Sequence, residues 1–202
     1  SGYWKKLIIM RLDIGAYEKK PTNKIKGFYD RLVDVMPSLQ SHGCSYGEHG
    51  GFLKRVEEGT WAGHAIEHFA LEMQTIAGMD TGYGRTRETG EKGIYNVVYS
   101  YLEEEVGRFA GRAAVRLWLE LAEGRDLAEI KMELAANIQE MREIRENVRF
   151  GPSTGSLVEE ADHRDIPYIR LNDQSLVQLG YGVHQKRIQA TTTVNTNMIS
   201  VD

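Results

Sequence analysis

Residues 60–73 read Thr60-Trp61-Ala62-Gly63-His64-Ala65-Ile66-Glu67-His68-Phe69-Ala70-Leu71-Glu72-Met73, and the groups able to do chemistry there are His64, Glu67 and His68. On a helix turning roughly 100° per residue, positions four apart lie about 40° apart on one side. Two imidazoles so placed can close on one zinc ion, with Glu67 beside them to take a proton from water. A catalytic zinc needs a third protein ligand and keeps a fourth position for water, whose pKa then falls toward ~7. The reaction this specifies is hydrolysis of a polarised carbonyl.

The order His-x-x-Glu-His is that of the inverted zincins. Short motifs also arise by chance, and the plain alternative is two polar surface residues one turn apart. Ile66, Phe69, Ala70, Met73, Ile76 and Ala77 recur at helical spacing, with Thr60 placed as N-cap and Gly78 as the stop. The apolar stripe predicts a core face, with both histidines pointing away from it. Trp61 and Leu71 share the histidine side, which therefore reads as the wall of a cleft.

Three further stretches carry candidate groups. Glu103, Glu104 and Glu105 open a later helix; the helix dipole favours carboxylates there whatever the function, and any of the three is a candidate third ligand. Arg85 and Arg87, set between glycines at Gly82-Tyr83-Gly84 and Gly90, are suited to gripping carboxylates or lie in an exposed turn. His42 to Gly51 holds His42, Cys44 and His49 among four glycines, a spacing that matches no common zinc pattern. It reads as a flexible or substrate-facing loop, with Cys44 a small loop residue.

Around these, Lys6–Leu12 is a β-branched apolar run, a buried strand. Ile25, Phe28, Tyr29, Leu32, Val33 and Met36 set a first helix up to Pro37, and Gly93–Tyr101 reads as a second strand. Leu102, Val106, Phe109, Ala110, Ala113, Leu117 and Leu121 set a long helix ending near Gly124. A second begins at Leu127 and runs to Val148, making an antiparallel hairpin. The texture changes at Phe150-Gly151-Pro152-Ser153-Thr154-Gly155, a domain boundary. Beyond it a helix at Ser156–Arg164 and strands at Ile166–Leu171 and Leu176–Gly182 open an α/β unit. The fold class expected is α+β: a mixed domain over 1–150 with a small sheet, central helix and helical hairpin, then an incomplete unit over 151–202.

At 202 residues, 41% hydrophobic and 27% charged, the composition is that of a soluble globular protein. A net charge of -4 provides no overall attraction to nucleic acid. No apolar run approaches the ~20 residues that span a bilayer, and no signal-peptide pattern opens the chain. One cysteine, Cys44, suits a reducing cytoplasm.

Several blocks together resemble the cyanophycin synthetase family. They are Gly50-Gly51-Phe52-Leu53, Glu58-Gly59-Thr60-Trp61, Gly84-Arg85-Thr86-Arg87-Glu88-Thr89, Gly111-Arg112-Ala113-Ala114-Val115-Arg116-Leu117, Gly151-Pro152-Ser153-Thr154, and Val177 through Thr191. The first four resemble that family's N-terminal domain and the last two the entry to its ATP-grasp domain. The resemblance implies a cytoplasmic, homotetrameric, ATP- and Mg-dependent ligase that builds a polyaspartate backbone and adds arginine to its side chains. Its partners are then L-Asp, L-Arg, ATP and the cyanophycin polymer, with no nucleic acid and no membrane. It implies further that the N-terminal domain binds polymer and, in many members, cuts it into primers at a zinc site. In that comparison His64 and His68 match the metal ligands, Glu67 the general base and Glu104 the third ligand. By their own chemistry Arg85 and Arg87 are expected to orient polymer carboxylates or to steady the oxyanion. Only the first part of the ATP-grasp domain is present, so this stretch is not expected to ligate by itself. The alternatives are a non-catalytic polymer tether and, more remotely, a free-standing zinc protease.

Overall fold

The computed structural model describes residues 6–148, 150, 152–172, 175–189 and 192–193. They fall into two compact units, one within Trp4–Arg145 and the other within Glu146–Asp202. The class is α+β, as expected.

In the first unit three strands form an antiparallel sheet in the order β1 (Leu7–Asp13), β3 (Ile94–Ser100), β2 (Gly84–Glu88). Leu7 pairs with Ser100 and Gly84 with Tyr99, so β3 is the middle strand. Its Val97 and Tyr99 are buried. The remaining elements are α1 (Phe28–Val35), α2 (Gly51–Glu58), α3 (Ala62–Ile76), α4 (Glu104–Glu123) and α5 (Leu127–Val148). Phe28, Phe52, Phe69, Trp118 and Leu121 fill the core they enclose, and burying each such side chain contributes roughly 1.5–3 kcal/mol.

The predicted helical hairpin is present. Gly124 takes the left-handed conformation, φ 70°, that closes α4, and Arg31 donates to the Leu121 carbonyl at 2.8 and 2.5 Å. Arg116 meets Asn137 at 3.4 Å while Glu120 bonds Glu133, so α5 runs back along α4.

The central helix is α3, and it lies against α4, β2 and β3. A Cβ at Gly63 would stand 3.0 Å from Thr86 Cγ2 and 3.6 Å from Val97 Cγ2, so a residue without a side chain brings helix and sheet close. Two expectations for this helix are corrected. Thr60 is not its N-cap: Trp61 holds that position, and Thr60 is instead tied to Thr22, its carbonyl accepting from the Thr22 N–H and its N–H donating to Thr22 Oγ1, both at 2.9 Å. Nor does the histidine side face away from packed protein. Every residue from Ala62 to Gln74 except His64 is buried, because α2 and the loop before it cover that side.

Two further corrections concern the glycine-flanked stretches. Arg85 and Arg87 belong to strand β2, not to a turn, because Thr86 between them packs inward on α3. The helix expected from Ser156 begins earlier, with Pro152 to Gly155 in the first turn of α6 (Pro152–His163); a proline is favoured there, where the missing N–H has no intrahelical partner.

In the second unit β4 (Tyr168–Arg170), β5 (Leu176–Leu179), β6 (Lys186–Gln189) and β7 (Thr192–Thr193) form an antiparallel sheet in sequence order. Val158, Val177 and Ile188 make its small core. Of the block resembling ATP-grasp proteins, Gly151, Ala190 and Thr191 lie outside the described residues.

Candidate active site

A cleft of about 850 Å³ opens beside the first half of α3, its wall formed by His42, Cys44, Trp61, His64, Glu67 and His68. The helix sets the last three: spacing of one turn puts both imidazoles on the same side, and Glu67 beside them. The loop supplies the rest. Phe52 N–H bonds the His42 carbonyl at 3.0 Å and Gly50 N–H the Gln40 carbonyl at 2.7 Å, fastening residues 40–43 to the start of α2. A Cβ at Gly51 would meet the Gly43 carbonyl oxygen at 2.1 Å, so only glycine allows that approach. Cys44 is held at φ 49°, in the left-handed region, a strain of roughly 1–3 kcal/mol that clusters at functional sites.

This loop carries Cys44 Sγ to 3.1 Å from His64 Nε2. One ligand atom each from Cys44, His64 and His68 lies within 4.8 Å of the others. A thiolate and two imidazoles form a donor set that zinc accepts, and three protein ligands leave a fourth position open. The residues present therefore fit a catalytic zinc.

Glu67 is 4% exposed. The Thr86 hydroxyl donates to its Oε2 at 2.6 Å, and His64 Nδ1 stands 3.8 Å from the same oxygen. A Cβ at Gly84 would be 2.4 Å from Glu67 Oε1, so the carboxylate rests directly on the backbone of β2. His68 stacks on Phe52 with ring centres 4.0 Å apart. Its Nδ1 meets His42 Nδ1 at 2.8 Å, and His42 Nε2 meets the buried Glu72 Oε2 at 2.7 Å.

The electrostatics follow from these contacts. Burial pushes the Cys44 thiol up, but hydrogen bonding and charge from His64, with help from Ser45, outweigh it and lower it overall. Burial pushes His64 down, while Cys44 and Glu67 carry it up to about 9. His68 is held well below the usual imidazole range by burial and by the charges of His64 and His42.

The structure thus brings together His64, Glu67 and His68 at one cleft, with Arg87 among the residues that line it. Arg85 is not among them. Glu104 is not among them either: Arg108, one turn on, donates to its Oε1 at 2.9 and 2.6 Å. The third donor beside the histidines is Cys44. Sequence reasoning set Cys44 and His42 aside and did not single out Glu72 or Thr86 as functional. The available signals were the density of His and Cys in the glycine-rich loop and the placing of Glu72 one turn after His68.

Comparison with known proteins agrees with this region of the chain. The family model described as the cyanophycin synthase-like N-terminal domain matches residues 9–123, which include every residue of the cleft named above. Cyanophycin synthetase of Synechocystis sp. (strain ATCC 27184 / PCC 6803 / Kazusa) is 50% identical over 204 residues, covering 99% of this chain and 23% of that protein. The cyanophycin synthetase of Trichormus variabilis is 51% identical over 205 residues, with 99% and 22% covered. That of Geminocystis herdmanii is 49% identical over 208 residues, with 99% and 23% covered. The chain thus spans less than a quarter of the length of these curated relatives, matching their N-terminal part. With both the domain match and this identity along its length, the chain belongs to the cyanophycin synthase-like N-terminal domain family.

Proposed function

We propose that this chain is the N-terminal portion of a cyanophycin synthetase and that its cleft hydrolyses amide bonds of the polymer to make primers. The observation that carries the reading is the convergence of Cys44, His64 and His68 donor atoms within 4.8 Å beside a buried, hydroxyl-anchored Glu67. A zinc ion held by those three residues supplies Lewis-acid polarisation of the carbonyl and of water. In this set Cys44 takes the role expected of Glu104.

The rest is done by the chain itself. Glu67 accepts a proton from the attacking water as the new C–O bond forms, then returns it to the departing nitrogen as the C–N bond breaks. Thr86 fixes Oε2, so the carboxylate meets the water in one orientation. Arg87, Arg55 and Glu88 also line the cleft, offering both signs of charge to a substrate that bears carboxylates and guanidinium groups. Arg85 has no part in the cleft on this reading. The whole protein would use ATP and Mg, L-Asp and L-Arg, as a cytoplasmic homotetramer, with residues from 151 onward leading into an ATP-grasp domain.

Elemental analysis of the purified chain and a Glu67→Gln variant test this together. The expected result is about one zinc per chain in both proteins, with release of short polymer from long polymer lost in the variant. Polymer binding without metal and without cleavage would instead make the domain a tether.

A further inference from the structure

Beside His68 the structure contains a chain of two groups that the reaction above does not use, a half-buried His42 at the cleft wall and a buried Glu72. Glu72, 3% exposed, meets His42 Nε2 at 2.7 Å, and His42 Nδ1 meets His68 Nδ1 at 2.8 Å. A carboxylate only accepts hydrogen bonds, and a neutral imidazole has one donor nitrogen and one acceptor. Glu72 therefore draws the His42 proton to Nε2, which makes His42 Nδ1 an acceptor. The contact between the two Nδ1 atoms needs one hydrogen, and His68 must supply it. The lone pair of His68 is then left on Nε2, the ring's other nitrogen. The opposite direction, with the His42 proton on Nδ1, would place the His68 proton on Nε2 and close that nitrogen to a metal.

Resting on the metal reading above, we propose that Glu72 and His42 are positioning residues that set the tautomer of His68 and reserve its Nε2 for the metal. The stack of His68 on Phe52 fixes the ring plane, and the relay fixes which nitrogen carries the proton. Such outer partners of a ligating histidine typically change metal affinity 10- to 100-fold.

The test uses the 202-residue chain with His42→Phe, His42→Gln and Glu72→Gln variants. Long-range proton–nitrogen correlation spectra of the metal-free proteins read the His68 tautomer, and competition with a chromogenic chelator reads zinc affinity. Wild type is expected to carry the His68 proton on Nδ1. In His42→Phe that preference is lost and zinc affinity falls about 10- to 100-fold. Glu72→Gln, whose amide no longer dictates direction, shows a smaller loss with mixed tautomers. His42→Gln, whose amide oxygen again accepts from His68, retains affinity within about threefold. Packing alone predicts the reverse order for the two His42 variants, because phenylalanine resembles histidine in shape more closely than glutamine does.

A wild-type His68 protonated on Nε2, or a His42→Phe variant that binds zinc as tightly as wild type, overturns the relay. A wild-type chain that binds no zinc overturns the metal reading, while the spectra of the metal-free chain still decide the tautomer.

Discussion

Ala65, Ile66, Phe69, Ala70 and Met73 on α3 sit in the main apolar core, while Glu67, His68 and Glu72 on the same helix are also buried, against polar partners. On the first side no group has a required partner, and what matters is volume filled. On the second each group is held by a named atom: Thr86 Oγ1, His42 Nδ1 and His42 Nε2. Burial therefore has two meanings along one helix. Substitution on the core side should be felt as lost stability, and on the cleft side as lost direction.

The largest expected effect breaks the core side. Phe69→Ala removes a fully buried ring that meets Phe52 edge-on at 6.5 Å and should cost about 3–5 kcal/mol, read by urea unfolding. Metal retained by the folded fraction supports the contrast, and metal lost in proportion to stability would erase it. Next comes Gly84→Ala on the cleft side. The added Cβ displaces the Glu67 carboxylate, so cleavage should fall about 100-fold while zinc content is unchanged. Steady-state rates beside elemental analysis check it.

The smallest effect sharpens the comparison with a buried carboxylate that lacks a histidine partner. Glu120 is 8% exposed, and burial together with the neighbouring Glu133 raises its pKa despite Arg125. Between the ordinary glutamate value and the raised one the folded chain holds a proton that the unfolded chain releases. Stability therefore falls as pH rises through that window, and Glu120→Gln should flatten the slope. Thermal unfolding across that pH range measures it, and an unchanged slope would remove Glu120 as its source.

The elements with long regular patterns were legible in the sequence: β3, α3 and the α4–α5 hairpin follow the spacing of their apolar residues, whereas β1, expected as a buried strand, lies at the sheet edge with Leu12 its one buried residue and Ile9 69% exposed. Also legible was the grouping of His64, Glu67 and His68, since a helix fixes it locally. Cys44 and His42 were not, because they reach α3 only through a loop whose path depends on the Gly43–Gly51 approach and bonds to α2. No periodicity encodes such a path. Glu104 had the charge expected of a ligand, yet Arg108 on its own helix satisfies it nearer at hand. Thr60 had the chemistry of a cap, and main-chain bonds to the distant Thr22 hold it one residue ahead of the N-cap, Trp61. Local signals fail where a partner far along the chain competes.

The pairing of β1 with β3 has a consequence for biosynthesis. Leu7–Asp13 leaves the ribosome with its Leu-Ile-Ile-Met run unpaired, and its partner strand ends at Ser100. At roughly 5 to 20 residues per second, the roughly 90 intervening residues take on the order of 5 to 20 seconds to appear. For that interval the nascent chain displays an apolar strand whose partner has not yet emerged, open to pairing with other chains.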